Sequence, residues 1–341
     1  MSADIFVTGG SGFVGAATVR YLSNAGYWVR ALSRSEASDR AIRAAGGEPV
    51  RGDLESVSGT HLAGCEAVVH AAAHVRAWGR WRDFRRVNVA GTARLLAVAR
   101  EAGVRRFIHI GTEAALFHGQ PMCDIAEDDL PLALRSPYPY ARTKAEAERL
   151  VRAADDPVRG FRTIVLRPRM IWGPGDRTLL PALAQMVETG RFAWVDHGRA
   201  ATSTTHIDNL TRAIALALEH GEGGSVFFIT DGETVTLRDF LSRLAASIGL
   251  TLPDRSVPGG WLRTIAFVVE PTWRFLAPER EPPITRMVAA MLACPCTLRI
   301  DRARSELGYR PVVSVEEGLA RLRQSAIRSA RVPNPEGAGA G

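Results

Sequence analysis

The N-terminal stretch of the chain constrains its fold more than any other part. A short apolar run at 4–8 is followed at once by Gly9-Gly10-Ser11-Gly12-Phe13-Val14-Gly15 and then by an apolar helical pattern. A strand, a glycine turn and a helix in this order predict a βα unit that holds the pyrophosphate of a dinucleotide at the helix N-terminus. We therefore expect five residues of this turn to contact a cofactor: Gly9, Gly12, Phe13, Val14 and Gly15.

Strand-like and helix-like segments alternate along the first half of the chain. Further strands are predicted at 27–33, 49–51, 67–70, 106–110 and 163–166. Helical patterns lie between them, and the longest runs from about residue 81 to residue 102. This alternation predicts an α/β protein with a Rossmann-type, doubly wound parallel sheet.

The pattern changes after residue 176. Helices near 177–188, 207–219, 236–248 and 315–328 are separated by short strands near 193–196 and 225–229. We predict an NAD(P)-binding Rossmann domain at 1–176, to which parts of 200–235 return, and a smaller, mixed C-terminal lobe at 177–330 that binds mainly substrate. The Pro/Gly/Ala-rich segment 331–341 is predicted to be a disordered tail.

The ends of the early strands indicate the cofactor. The second strand ends at Arg34, and no acidic residue appears before Glu36. An acid there usually holds the ribose hydroxyls of NAD, whereas an arginine accommodates the 2′-phosphate of NADP, so NADP(H) is favoured and NAD(H) remains the alternative. Asp53 and Leu54 follow the third strand, where a carboxylate can accept from the adenine amino group. Ala72, after the fourth strand, leaves room for a ligand.

Tyr140 and Lys144 form a second informative feature. Lys144 is the single lysine of a chain in which Lys and Arg together number 43. An ammonium is a compact point charge with three rotatable donors, a role that a planar guanidinium does not fill. Tyr140 lies four residues earlier, and positions four apart share one face of a helix. We predict that the phenol and the ammonium point into one site; a surface helix with a chance pairing is the alternative.

Composition excludes several classes of function. The net charge of +7 could suit nucleic acid, but the arginines are interspersed with acids and form no basic run with aromatic residues, so we predict no nucleic-acid partner. Four sparse cysteines, together with His70, His74 and His206, provide no metal-ligand spacing, so we predict no metal. The chain has no signal-peptide pattern and no apolar run long enough to span a membrane, which predicts a cytoplasmic protein.

Taken together, these motifs resemble the extended short-chain dehydrogenase/reductase family, part of the NAD-dependent epimerase/dehydratase superfamily. The motifs that carry the resemblance occur in family order: Thr8 to Gly15, Asp53-Leu54, His70 to Ala73, Asn88-Val-Ala-Gly-Thr92 and Tyr140-xxx-Lys144. The stretches 166–176, 205–209, 282–286 and 306–311 are similar to the 3β-hydroxysteroid dehydrogenase-like branch. Residues 77–79 and 166–176 also resemble bacterial reductases of long-chain 2-alkyl-3-oxoalkanoates.

The resemblance implies a catalytic Ser/Thr, a Tyr and a Lys. Aligned on residues 107–111, the first of these falls on Thr112, whereas alignment on Gly119 would place Ala114 there. An alanine side chain cannot hydrogen-bond a substrate oxygen, so we keep Thr112 with Tyr140 and Lys144. The resemblance also implies further cofactor contacts from Asn88, Tyr140, Lys144 and Pro168.

The implied reaction is NAD(P)-dependent interconversion of a secondary alcohol and a ketone. A neighbouring ammonium favours the phenolate, which lowers the pKa of the tyrosine towards neutral pH. The apolar stretches 259–276 and 287–292 favour a hydrophobic substrate, either a 3β-hydroxysteroid or a long-chain 3-oxo or 3-hydroxy acid. We expect these stretches to form a wall or lid of the pocket, or to rest on a membrane surface. The resemblance is also compatible with a homodimer.

Two other functions compete with this interpretation. One is a nucleotide-sugar epimerase or dehydratase of the same superfamily. Such enzymes commonly carry an Asn soon after the sixth strand, where this chain has Arg167-Pro168-Arg169. The other is a non-catalytic cofactor-binding regulator, which would most simply lack the pair of Tyr140 and Lys144.

Overall fold

The computed structural model describes residues 4–277 and 279–331. Its strands are β1 (Asp4–Thr8), β2 (Trp28–Ser33), β3 (Glu48–Arg51), β4 (Ala67–His70), β5 (Arg106–Ile110), β6 (Met122–Ile125), β7 (Arg162–Pro168), β8 (Ile171–Trp172), β9 (Trp194–Val195), β10 (Ala201–Ser203), β11 (Thr205–His206), β12 (Val226–Ile229), β13 (Thr234–Thr236), β14 (Ser256–Val257) and β15 (Cys296–Leu298). Its α-helices are α1 (Phe13–Asn24), α2 (Glu36–Ala44), α3 (Gly59–Leu62), α4 (Trp81–Phe84), α5 (Thr92–Glu101), α6 (Pro139–Ala153), α7 (Leu179–Glu188), α8 (Ile207–His220), α9 (Leu237–Ala246), α10 (Gly259–Leu276), α11 (Arg286–Ala293), α12 (Asp301–Glu306) and α13 (Val315–Arg331).

A seven-stranded parallel sheet forms the centre of the molecule, in the order β12-β7-β5-β4-β1-β2-β3. Strands of such a sheet are apolar on both sides because helices cover both faces. Val7, Val69 and Ile108 belong to the core on the side of α1 and α8, and Phe6 and Val68 to the core under α3 and α5. The predicted α/β class with a doubly wound parallel sheet is confirmed.

The edge strand β12 comes from the C-terminal half of the chain and pairs with β7. A smaller mixed sheet, in the order β13-β10-β15-β6, lies outside the main one. Its strands have only three or four residues, too few to show a clear alternation of apolar and polar side chains. For this reason the sequence did not predict β6, β10, β13 or β15. The division into two domains stays a prediction.

The long helical stretch predicted at 81–102 is interrupted in its middle. It consists of α4, a π-helical segment (Arg85–Gly91) and α5. Gly91 faces Leu54, and a Cβ at this glycine would lie 2.8 Å from the Leu54 side chain. The π-helical segment thus packs against the chain that follows β3.

In the described part of the chain, no helix combines the length and the hydropathy needed to cross a bilayer. The C-terminal elements include α10, which is exposed along much of its length and packs on α11. The segment predicted to be a disordered tail lies outside the described residues, except for Arg331 at the end of α13.

Candidate active site

A cleft of about 700 Å³ opens where the strands of the main sheet end. Parallel strands end at the same edge of the sheet, and ligands of open α/β sheets bind in the crevice at that edge. Twelve of the predicted site residues line this cleft: Gly9, Gly12, Phe13, Val14, Gly15, Arg34, Asp53, Leu54, Ala72, Thr112, Tyr140 and Pro168. Residues that sequence reasoning did not select also line it, among them Ser38, Arg86, Glu113, Met170 and Arg177.

The glycine turn between β1 and α1 leaves no space for side chains. A Cβ at Gly15 would lie 2.0 Å from the Gly9 carbonyl oxygen, and one at Gly9 would lie 2.9 Å from the Ala72 nitrogen. The turn is closed by the Gly12 N–H, which donates to the Gly9 carbonyl over 2.9 Å. The first turn of α1 carries no acidic residue, so the positive end of the helix dipole is uncompensated. This arrangement fits the pyrophosphate of a dinucleotide.

Another part of the cleft is lined by polar groups suited to a nucleotide ribose. Arg34 and Ser38 line it beside Asp53. The Asp53 Oδ1 accepts hydrogen bonds from the Glu55 and Ser56 N–H groups at 2.9 and 2.8 Å, and from the Ser56 hydroxyl at 2.9 Å. The bonds from Ser56 are the main cause of the lowered pKa of Asp53. The carboxylate therefore stays ionised and keeps the loop after β3 in place.

Thr112 and Tyr140 face the cleft from two different elements. Thr112 follows the end of β5, where its Oγ1 accepts from the Ala114 N–H over 3.2 Å. Tyr140 lies in the first turn of α6, which begins at Pro139. Burial raises the pKa of Tyr140, the Glu113 carboxylate raises it further, and a hydrogen bond with Thr112 lowers it.

Lys144 lies one helical turn beyond Tyr140, behind the wall of the cleft. Its side chain is 3% exposed, and its Nζ donates to the Ile110 carbonyl over 2.8 Å. This bond ties α6 to the last residue of β5, next to the loop that carries Thr112. Burial lowers the pKa of Lys144 to about 8, although the Glu148 carboxylate raises it.

Asn88 also lies behind the wall rather than in the cleft. Its side chain accepts from the His74 N–H over 2.7 Å and donates to the His74 carbonyl over 3.2 Å and to the Thr143 hydroxyl over 3.1 Å. These three bonds join the π-helical segment to the loop after β4 and to α6. Asn88 does not line the cleft, and its predicted cofactor contact stays a prediction.

A buried ion pair adjoins Thr112 that the sequence did not reveal. Glu113 and Arg169 are each 3% exposed, and Arg169 Nη1 lies 2.5 Å from Glu113 Oε1. The Thr112 hydroxyl donates to the other Glu113 oxygen over 2.7 Å. The pair spans 56 sequence positions, so neither spacing nor periodicity could have predicted it.

The apolar stretches near the C-terminus lie mostly outside this cleft. No residue of α10 lines the cleft, and of 287–292 only Met291 does so. The segment 259–276 therefore does not form a wall of this cleft, while its expected roles as a lid or a membrane-resting face stay predictions. A hydrophobic helix pattern does not specify which face packs on the protein. Among the described residues, no group of three or more His, Cys, Asp or Glu side chains is arranged to hold a metal ion.

The family model described as "NAD dependent epimerase/dehydratase family" matches residues 5–229. The chain is 42% identical over 94% of its length, and 96% of the relative's, to "4-hydroxy-2-methyl-3-oxo-4-farnesyl-3,4-dihydroquinoline-1-oxide ketoreductase" of Stigmatella aurantiaca. It is 36% identical to "2-alkyl-3-oxoalkanoate reductase" of Stenotrophomonas maltophilia (strain K279a), over 94% of this chain and 99% of that one. It is 27% identical to "Sterol-4-alpha-carboxylate 3-dehydrogenase, decarboxylating" of Dictyostelium discoideum, again over 94% and 99%.

Among solved structures, MoeE5 in complex with UDP-glucose and NAD is similar to this chain. The TM-score is 0.73 at 26% identity, over 96% of this chain and 100% of that one. The relatives are reductases and dehydrogenases, and they confirm the prediction of an NAD(P)-dependent oxidoreductase in the 3β-hydroxysteroid dehydrogenase-like branch. The chain belongs to the NAD dependent epimerase/dehydratase family.

Proposed function

We propose that this protein is an NADP(H)-dependent ketoreductase of a large hydrophobic 3-oxo compound, with Thr112, Tyr140 and Lys144 as its catalytic residues. The observation that carries the proposal is the meeting of three side chains, from the end of β5 and from α6, at one place in the cleft. Thr112 and Tyr140 line it, and Lys144 lies directly behind them, bonded to the Ile110 carbonyl.

Reduction of a ketone adds a hydride to the carbonyl carbon and a proton to its oxygen. NADPH, when bound, supplies the hydride. The Tyr140 phenol supplies the proton as a general acid, and Thr112 helps to fix the position of the reacting oxygen. Lys144 is protonated below a pH of about 8. Its charge stabilises the phenolate that remains on Tyr140 after the transfer.

The preference for NADP(H) is supported by the groups at the ribose end. Arg34 and Ser38 line the cleft there. Asp39, in the first turn of α2, accepts from the Ser33 hydroxyl over 2.5 Å and pairs with Arg51 over 2.5 Å. An acid that is already paired is poorly placed to hold ribose hydroxyls, whereas a free arginine suits a 2′-phosphate.

The substrate class is supported by the lining and by the relatives. Ala114, Pro168, Met170, Ile171 and Met291 contribute largely apolar surface to the cleft. The names of the Stigmatella and Stenotrophomonas relatives specify a farnesyl-bearing 3-oxo dihydroquinoline and a 2-alkyl-3-oxoalkanoate. Both names combine a 3-oxo group with a hydrocarbon chain, and we infer the same combination for the substrate of this protein.

A nucleotide sugar is the alternative substrate, suggested by the likeness to MoeE5. Its phosphates would need free cations near the reacting end of the cleft. Arg167 there is 1% exposed and engaged by Glu148 and by the Glu127 carbonyl. Arg169 is likewise engaged by Glu113. These two arginines are unavailable to a phosphate, but Arg177 lines the cleft, so the preference for a hydrophobic ketone rests mainly on the apolar lining and on the names of the relatives.

Peripheral membrane contact through α10 is a further part of the proposal. Trp261, Ile265, Val268 and Phe275 form a stripe at helical spacing, and Trp261 and Phe275 are 73% and 86% exposed. Arg263 and Arg274 flank the stripe, and the protein carries a net charge of +7, which suits an anionic lipid surface. A homodimer stays a prediction.

The substrate proposal is tested with a series of 3-oxo acids of increasing chain length and NADPH. We expect kcat/KM to rise with length, because each buried methylene contributes up to about 0.8 kcal/mol. UDP-glucose and dTDP-glucose serve as comparison substrates. A flat profile across the series, or faster turnover of a nucleotide sugar, would overturn the proposal.

A further inference from the structure

Three arginines line the cleft, and they differ in how far their charges are compensated. Arg86 Nη1 donates to the Glu55 carboxylate over 2.9 Å, so its charge is already paired. Arg34 is the proposed partner of the cofactor 2′-phosphate. The guanidinium of Arg177 makes no hydrogen bond or ion pair with any residue that the structure describes. An exposed arginine in this state is available to an anionic group of a ligand.

The loop that carries Arg177 is held in place by Asp176. The Asp176 Oδ1 accepts from the Thr178 N–H and from the Thr178 hydroxyl, each over 2.8 Å, and its Oδ2 accepts from the Leu180 N–H over 3.0 Å. The Asp176 N–H donates to the Gly173 carbonyl over 3.1 Å. The carboxylate next to Arg177 in sequence is thus directed at the start of α7 rather than at the guanidinium. The loop therefore presents Arg177 to the cleft with its charge uncompensated.

The same loop packs against the glycine turn at which the cofactor site begins. A Cβ at Gly175 would lie 3.9 Å from the ring of Phe13, the first residue of α1. Gly175 has a φ of +90°, a conformation that glycine adopts without strain. The segment that contributes Arg177 and Thr178 to the cleft therefore adjoins the N-terminus of α1.

The glycine turn itself supplies little positive charge. No residue from Gly9 to Gly15 is a cation, and the N–H groups at the start of α1 amount to roughly half an elementary charge. The diphosphate of a dinucleotide carries two negative charges, so the turn alone leaves most of that charge uncompensated. Arg177, on the adjoining loop, can supply the missing cation.

We propose that Arg177 binds the diphosphate of the cofactor, together with the glycine turn. This role rests on the proposed function only in requiring that a dinucleotide occupies the cleft. NADH and NADPH share the diphosphate, so Arg177 should contribute equally to the binding of both, whereas Arg34 should act on NADPH alone. Arg177 is then a cofactor-binding residue and takes no part in recognising the substrate.

The test measures dissociation constants for NADPH and NADH in the wild type, Arg177→Ala and Arg34→Ala by protein fluorescence. We expect Arg177→Ala to weaken the binding of both cofactors by about ten- to a hundredfold, the range of a charge-assisted hydrogen bond. Arg177→Lys should recover part of the loss, because it keeps the charge. Arg191→Ala is the control: this arginine is exposed, follows α7 and does not line the cleft, so cofactor binding should not change.

Two further measurements separate a contact with the diphosphate from other effects. Adenosine 2′-monophosphate carries the 2′-phosphate but no diphosphate, so Arg177→Ala should bind it as tightly as the wild type does, whereas Arg34→Ala should not. Free Arg177→Ala should keep its melting temperature, because an exposed side chain without a partner is removed, and NADPH should raise that temperature less than in the wild type.

Three results would overturn the role of Arg177: unchanged dissociation constants for both cofactors, a loss confined to NADPH, or weaker binding of adenosine 2′-monophosphate by Arg177→Ala. Unchanged cofactor binding with a raised KM for the 3-oxo acid or for UDP-glucose would assign Arg177 to the substrate instead. A wild type that binds neither NADPH nor NADH would refute the proposed function itself.

Discussion

Lys144 illustrates how a single residue type can be set by its surroundings. The side chain is buried, and its compact ammonium fits against the carbonyl of Ile110 at the end of β5. Arginine occupies every other basic position of the chain, including Arg142 on the exposed side of the same helix. A guanidinium is wider, and placing it in a packed site forces neighbouring groups to move.

We predict that Lys144→Arg loses most of its turnover despite keeping the positive charge. Tyr140→Phe should also lose turnover, because the transferable proton is removed, while it still binds NADPH. Steady-state kinetics and cofactor binding by protein fluorescence measure the two effects. Arg142→Lys is the matched control on α6 and should behave as the wild type. Substantial turnover by Lys144→Arg would show that charge alone suffices.

Arg34 is the residue on which the choice of cofactor depends. It lines the cleft at the end of β2. A charge-assisted bond to a 2′-phosphate is worth about 1.5–3 kcal/mol, so Arg34→Ala should weaken NADPH by that amount and leave NADH nearly unchanged. Dissociation constants for both cofactors decide this. The control is Arg40→Ala, an exposed arginine on α2. Equal losses for both cofactors, or a wild type that prefers NADH, would contradict the assignment.

At the residue scale, sequence motifs predicted the residues that line the cleft better than they predicted the hydrogen bonds and ion pairs behind it. The glycine turn, Arg34, Thr112 and Tyr140 all line the cleft, because motifs at strand ends report directly on the sheet edge. The bonds of Asn88 and the pair of Glu113 and Arg169 join distant segments. Such contacts depend on tertiary packing, which local patterns do not encode.

At the scale of elements, α10 is the part whose place sequence patterns left open between the pocket and a membrane surface. Its stripe faces solvent rather than the cleft, and its opposite side packs through residues such as Ala266. Two hydrogen bonds to side-chain carboxylates anchor it: the Gly259 N–H donates to Asp196, and the Glu270 carboxylate accepts from the Arg286 N–H. The apolar stripe is thus held outward on a well-anchored helix.

We predict that this stripe binds vesicles containing anionic phosphatidylglycerol. Ile265→Asp places a charge in the centre of the stripe and should abolish flotation with such vesicles, since a buried charge at a lipid surface is costly. Val158→Asp alters a side chain that is 96% exposed, outside the stripe, and should retain binding. Wild-type protein that stays with the soluble fraction would contradict the prediction. Loss of self-association in Ile265→Asp would instead identify the stripe as an interface between two copies.

For the molecule as a whole, the seven-stranded sheet brings residues at the ends of six of its strands into one cleft. The order of its strands places the ends of β1, β4 and β5 side by side. This topology follows from alternating strand and helix patterns, which explains why the fold class could be predicted. The second sheet and the exposure of α10 could not be predicted, because short strands and amphipathic helices are compatible with more than one packing arrangement.

The central claim is tested most directly by following the hydride itself. The purified protein is incubated with a long-chain 3-oxo acid and with NADPH that carries deuterium on the transferring face of nicotinamide C4. The account predicts one deuterium at the carbinol carbon of the product for each NADPH oxidised, detected by mass spectrometry, and none when Tyr140→Phe replaces the wild type. Turnover of UDP-glucose without net NADPH oxidation, together with no deuterium in any 3-hydroxy product, would contradict it.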